Sequence, residues 1–156
     1  MLMRIKAIRI ALILAVSLTA GCCFMKSMRR PQIRPPDYPP TVHALEVTAY
    51  CPCGKCCGWR RDWLGRPVFA SGRLKGQRKE VGVTASGTKA RQGTIAADTD
   101  IFPFGTIMYV PGYGYGRVED RGGAIKGSKI DLFYRRHQDA LEWGRQHKRV
   151  KVWLPR

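Results

Sequence analysis

Between Leu45 and Leu154 the apolar residues come in short runs, and glycines and prolines separate most of them. That punctuation favours strands, because no stretch before His137 sustains the 3.6-residue period of an amphipathic helix. Leu45-Glu-Val-Thr-Ala-Tyr50 alternates, as a half-buried strand does. Further strand-like runs are Val81–Ala85, Thr94–Ala97, Thr106–Val110, Arg117–Glu119 and Lys129–Phe133, and alternation returns at Arg149–Leu154. His137 to Gln146 reads as the single helix, with Ala140, Leu141 and Trp143 as packing candidates and Gly144 weakening its end. Many short strands with turn signals at modest spacing predict a mainly β chain closed into a small barrel, with one short C-terminal helix. No internal repeat is visible.

Residues 1–22 read as a segment apart. Arg4, Lys6 and Arg9 precede an apolar stretch, Ile10 to Leu18, that is too short for a membrane span. With the ending Leu18-Thr-Ala-Gly-Cys22 this is the pattern of an export signal. The Ala-Gly-Cys ending resembles a bacterial lipobox, which implies lipidation of Cys22. Thr19 departs from that pattern, and a plain cleaved signal is the alternative. Stable anchoring takes more than one acyl chain, each contributing about 0.8 kcal/mol per buried CH₂, and a lipoprotein N-terminus meets that need. Residues 23–41 hold Pro31, Pro35, Pro36, Pro39 and Pro40 and read as a stiff, basic tether. Lys26, Arg29, Arg30 and Arg34 either meet anionic head groups or are simply solvated. The globular part is then 42–156. The expected location is the cell envelope: exported, membrane-anchored and facing the periplasm.

Lysine and arginine number 28 against 11 acidic residues, a formal charge of +17. Such a balance raises the question of nucleic acid. The basic residues are dispersed, however, and no recognition helix, RNP-like strand or zinc-finger spacing is present, so nucleic acid is not the expected partner. Attraction to an acidic polymer or to anionic lipid accounts for the charge with fewer assumptions.

Three aspartates stand beside apolar runs and small residues: Asp98 in GTIAADTDIFPFGT, then Asp120 and Asp131 in VEDRGGAIKGSKIDLFY. With VTAY (47–50), TASG (84–87), GTIAAD (93–98), PFGT (103–106), EDRGGAIKG (119–127) and KIDLF (129–133), followed by Ala140 and Trp143-Gly144, the pattern resembles the 3D domain. That domain is named for its three aspartates and occurs in bacterial lytic transglycosylases of the MltA type and in stand-alone cell-wall proteins. The resemblance implies a closed six-stranded double-psi β-barrel. It further implies cleavage of the β-1,4 bond between N-acetylmuramic acid and N-acetylglucosamine in peptidoglycan, leaving 1,6-anhydro ends, with glycan strands as partner and no required cofactor.

One carboxyl group suffices for that chemistry, since the muramic 6-hydroxyl attacks its own anomeric carbon. The acid must stay protonated, and burial and a like charge both raise its pKa. By the resemblance, Asp131 is the acid/base, Asp120 supplies the like charge, and Asp98 orients the pair. A lone carboxylate within an apolar strand is costly unless paired, so Asp131 is hardest to read as merely structural. Asp98 has the alternative of capping a turn, and Asp120 of pairing with Arg121. Lys126 is a candidate to touch substrate or to lower a nearby carboxylate's pKa. Gly122 and Gly123 let a backbone approach a sugar or a strand. Thr84, Ser86 and Tyr50 are candidate groove hydrogen bonders or packing residues. Larger relatives complete the groove with another domain. The expectation here is a stand-alone barrel or one completed by an accessory envelope protein.

Cys51-Pro-Cys53-Gly-Lys-Cys56-Cys57 places four thiols in seven residues. In an exported protein disulfides come first, though close spacing strains them and the connectivity is open. The other reading is a structural zinc site made by Cys51, Cys53, Cys56 and Cys57. Against it, ligands so close rarely surround one ion unaided, and a second Cys-x-x-Cys pair is absent. The stretch Trp59 to Lys79 reads as a long basic loop in which Trp59 and Trp63 accompany seven cations, a composition suited to glycan stacking or to simple solvation. Two other function classes stand beside the enzyme. One is a non-catalytic peptidoglycan-binding or envelope-structural lipoprotein. The other is an aspartic-dyad hydrolase using Asp98 and Asp120.

Overall fold

The structure, a computed structural model, describes residues 32–156. The expected export signal, Cys22 and the tether up to residue 31 lie outside the described residues. In chain order the elements are β1 (Thr41–Tyr50), α1 (Gly54–Cys57), β2 (Trp59–Arg61), β3 (Pro67–Phe69), β4 (Thr94–Ala97), β5 (Ile107–Val110), β6 (Gly114–Asp120), β7 (Lys129–Phe133), α2 (His137–Trp143) and β8 (Gln146–Trp153).

Six strands close into a barrel in the order β1-β7-β4-β6-β5-β8. The pairs β1–β7 and β4–β6 are parallel and the other four are antiparallel, with β8 sealing the barrel against β1. This is the mainly β, closed six-stranded class expected. The period-2 alternation fills its interior. Leu45 and Val47 of β1, Ile95 and Ala97 of β4, Met108 and Val110 of β5, Val118 of β6, Ile130 and Leu132 of β7, and Val150 and Val152 of β8 form one buried cluster. Each large aliphatic among them contributes about 1.5–3 kcal/mol by leaving water. Closure also demands a glycine. A Cβ at Gly116 would come to 2.5 Å from Ile95 Cδ1 and 2.9 Å from Gly93 O.

Six of the seven predicted strands are present, with β4 and β7 at their predicted bounds. Val81–Ala85 is not a strand. Gly82 has φ 81°, Thr84 and Thr88 close a turn on each other, and Val81 and Val83 are exposed. α2 stops at Trp143 because Gly144 adopts φ 64°, ψ −143°. Of its packing candidates, Ala140 and Trp143 pack while Leu141 is exposed. The predicted basic loop contains the β2–β3 hairpin, in which Trp59 pairs with Phe69. The last residues of the expected tether are fastened to the barrel. Trp153 Nε1 donates to Tyr38 O at 2.8 Å, Tyr38 Oη donates to Leu154 O, and the Arg156 guanidinium lies 3.9 Å from the Tyr38 ring centre.

Candidate active site

Ala96 on β4 is the register point of the site. On one side it pairs with Asp131 of β7 and on the other with Asp120 of β6. The β6 register shifts between its pairings with Ile95 and Ala96, passing over Glu119. A bulge re-aims the side chains beyond it. Val118 therefore faces the barrel interior, yet Asp120 two residues later stands opposite Ala96 on the outer face. Ala96 belongs to a small cluster with Tyr50 and Phe133, separate from the barrel interior. Its methyl group leaves room above it. The result is a cleft of about 390 Å³ with Ala96, Asp120 and Asp131 among its lining residues, within the range of about 300–1,000 Å³ typical of ligand sites.

Asp131 lies mid-strand between the inward-facing Ile130 and Leu132. Thr48, its register partner on β1, donates from Oγ1 to Asp131 Oδ1 at 2.8 Å. Oδ2 has no protein hydrogen bond among the described residues. Burial pushes the Asp131 carboxyl above its ordinary pKa; the Thr48 bond and Lys129 oppose this, and the nearby Asp120 adds to it. Asp120 is held differently. Its Oδ2 accepts from Tyr50 Oη at 3.0 Å, and its Oδ1 accepts from the amides of Ala85 and Arg121 at 2.9 Å each. Tyr50 is buried edge-on to Phe133, with ring centres 5.5 Å apart. Burial first, then Asp120, raises its phenol pKa far above the ordinary value, so it stays a donor. One face thus carries an acid that favours its proton beside a carboxylate fixed by three donors.

Asp98 does not join them. It follows β4, accepts from the Gly127 amide at 2.9 Å and the Asp100 amide at 3.3 Å, and sits 3.5 Å from Lys126 Nζ. The Gly127 amide foremost, with further help from the Asp100 amide and Lys126, holds its carboxyl below the usual range. Its bonds brace the β6–β7 connection rather than the aspartate pair. Lys126 lowers a neighbouring carboxylate, and that carboxylate is Asp98. Thr84 and Ser86 bond each other and Thr88, bracing the turn that presents the Ala85 amide to Asp120. Gly122 and Gly123 line the cleft; among the described residues no second strand approaches them, and a Cβ at Gly122 would meet Ile125 Cγ1 at 3.1 Å.

None of the four described cysteines is in a disulfide. The Cys51 and Cys56 sulfurs are 3.7 Å apart, well beyond the bond length of about 2.05 Å. Cys51, Cys53 and Cys56 surround His137 Nδ1 at 3.5, 3.6 and 3.5 Å. Cys57 turns away and donates to Cys51 O at 3.2 Å.

Residues 93–155 match the family model of the 3D domain. This segment is a 3D domain. It spans β4 to β8 and holds all three aspartates. The cell wall-binding protein YocH of Bacillus subtilis is 44% identical over 75 residues, covering 46% of this chain and 26% of that protein. The putative cell wall shaping protein YabE of the same organism is 37% identical over 75 residues, covering 46% of this chain and 18% of its own length. The chain thus spans about a quarter or less of these relatives. Among solved structures, MltA of Escherichia coli aligns at 23% identity with a TM-score of 0.39, covering 47% of this chain and 28% of that one. MltA with bound chitohexaose gives 23% identity, a TM-score of 0.39, and 46% and 28% coverage.

The 3D domain motifs include Thr48 and Ala85 but not His137. Thr48 supports Asp131, and its signal was present in VTAY, where it is two residues from Tyr50 and so shares its face. Ala85 lies in TASG, but nothing local signals the partner of its amide, and His137 lies outside every one of those motifs. Each reaches its partner only through the closed barrel.

Proposed function

We propose that the protein is a peptidoglycan lytic transglycosylase with Asp131 as its acid/base. The observation that carries this reading is the pairing of Asp131, proton-retaining through burial and open at Oδ2, with Asp120 across Ala96. The presence of a 3D domain, and relatives named for binding and shaping the cell wall, support glycan strands of peptidoglycan as the substrate. Asp131 gives its proton to the glycosidic oxygen as the bond to the muramic anomeric carbon breaks. Asp120 stands where a carboxylate counters the positive charge developing at that carbon. The muramic 6-hydroxyl then bonds to the anomeric carbon and returns its proton to Asp131. The products are a 1,6-anhydro end and a free N-acetylglucosamine hydroxyl, with no water consumed. Asp98 and Lys126 act on the fold of the cleft wall. The reaction would take place in the cell envelope, with the chain exported and held to a membrane through lipidated Cys22.

A second reading, a binding module without turnover, is favoured by the name of the relative YocH. The two separate on labelled sacculi. The enzyme reading expects soluble fragments from the unmodified protein, none from Asp131→Asn, and binding by both. Binding by both with no release from either establishes the module instead.

A further inference from the structure

We propose that Cys51, Cys53, Cys56 and His137 form a structural zinc site that fixes the rim of the cleft. The donor atoms of these four residues lie within 4.8 Å of one another. A tetrahedral zinc with Zn–S of about 2.3 Å and Zn–N of about 2.05 Å has S···S edges of about 3.8 Å and S···N edges of about 3.6 Å. The Cys51–Cys56 separation is 3.7 Å, and the three S···N separations are 3.5, 3.6 and 3.5 Å. The Cys51 and Cys56 sulfurs and the His137 nitrogen are therefore spaced as vertices of a coordination tetrahedron, with the two sulfurs too far apart for a disulfide. Three thiolates and one imidazole fill all four positions, which makes the site closed and structural rather than catalytic. Soft sulfur with imidazole in a tetrahedron selects zinc over the oxygen-seeking cations.

The local chain is built for this. Cys53 is the N-cap of one helical turn, α1, and Cys56 lies within it; the first residue of the turn has room for no side chain, since a Cβ at Gly54 would lie 2.3 Å from Trp59 O. Gly58 ends the turn at φ 59°, ψ 44°. Trp59 Nε1 donates to Pro52 O at 2.9 Å and fixes the stretch between the first two ligands. Coordination through Nδ1 of His137 leaves the imidazole proton on Nε2 and ties the end of β1 to the start of α2. Binding releases the three thiol protons to solvent and leaves the centre with a net charge of about minus one. Pro52 and Cys56 line the cleft, so the ion holds one wall of the aspartate site in place. Cys57 is the fourth thiol of the motif and is not a ligand.

The test uses the full chain purified in zinc-containing medium. Metal analysis should return about one zinc per chain, and X-ray absorption at the zinc edge should fit three sulfurs and one nitrogen. Cys57→Ser should leave the stoichiometry unchanged. His137→Gln should weaken zinc by more than the roughly 10–100-fold that loss of an outer-shell partner costs, measured against a chromophoric chelator. A chain without zinc whose cysteines are found as disulfides by peptide mapping overturns the proposal. So does a four-sulfur coordination shell, or zinc that survives His137→Gln and is lost in Cys57→Ser. The absorption measurement on the unmodified chain decides the ligand set even if the histidine variant fails to fold.

Discussion

Tyr50→Phe isolates the bond that fixes Asp120. The tyrosine hydroxyl donates to Asp120 Oδ2 at 3.0 Å, while its ring is buried against Phe133. Phenylalanine keeps the ring and that contact and removes only the donor. A hydrogen bond to a charged partner contributes about 1.5–3 kcal/mol. Asp120 is only partly buried and keeps the Ala85 and Arg121 amides. The low end applies, and a loss of about 1.5 kcal/mol is expected. For a domain of this size that lowers Tm by roughly 6 °C. Urea unfolding of the unmodified chain, Tyr50→Phe, Asp120→Asn and the double variant gives a coupling energy, expected near 1 kcal/mol. Release of glycan fragments should fall in Tyr50→Phe as well, because Asp120 is then less firmly placed. A single-variant loss below about 0.3 kcal/mol with no coupling, inside the usual additivity error, would refute the reasoning that Tyr50 holds Asp120.

Three further outcomes follow from the same geometry. Because burial raises the folded pKa of Asp131, the folded state holds that proton more tightly than the unfolded one, and stability is lost as pH rises through the folded value. Asp131→Asn should therefore be more stable than the unmodified chain at neutral pH, by about 0.5–2 kcal/mol, with the gap closing in acid; equilibrium unfolding from pH 4 to 8 checks this. Asp98 has the opposite sign. The Gly127 amide first among its partners lowers its folded pKa, so its contribution is present above the unfolded value and is lost as pH falls. Asp98→Asn should reduce stability at neutral pH, with the deficit shrinking in acid, and should speed amide exchange at Gly127. Gly116→Ala should cost about 1–3 kcal/mol by overpacking, since its Cβ would press on Ile95 and the Gly93 carbonyl; thermal unfolding measures it.

The barrel was legible because its strands follow a single rule. Val47, Ile95, Ile130 and Leu132 sit at alternate positions, and all four are fully buried. Asp131 was legible for the same reason, as a polar residue on the opposite parity from Ile130 and Leu132. Asp120 obeys the rule only because of the bulge at Glu119, which the sequence around it does not announce. Val81 to Ala85 looks like a strand by composition, but Gly82 and the Thr84–Thr88 turn break it. The role expected of Asp98 fails at long range, since its partners, Gly127 and Lys126, lie 29 and 28 residues further on. In the cysteine cluster the usual paired Cys-x-x-Cys spacing of a metal knuckle is missing. His137, the fourth donor of the proposed zinc site, is 81 residues beyond Cys56, beyond the reach of any local pattern.

The central claim is that Asp131 cleaves glycan strands by intramolecular attack within this cleft. Mass spectrometry of purified peptidoglycan after incubation with the full chain, beside Asp131→Asn, tests it most directly. The account predicts fragments ending in 1,6-anhydro-muramic acid, lighter by one water than hydrolytic products, from the unmodified chain alone. Hydrated reducing ends, or intact glycan in both samples, would contradict it.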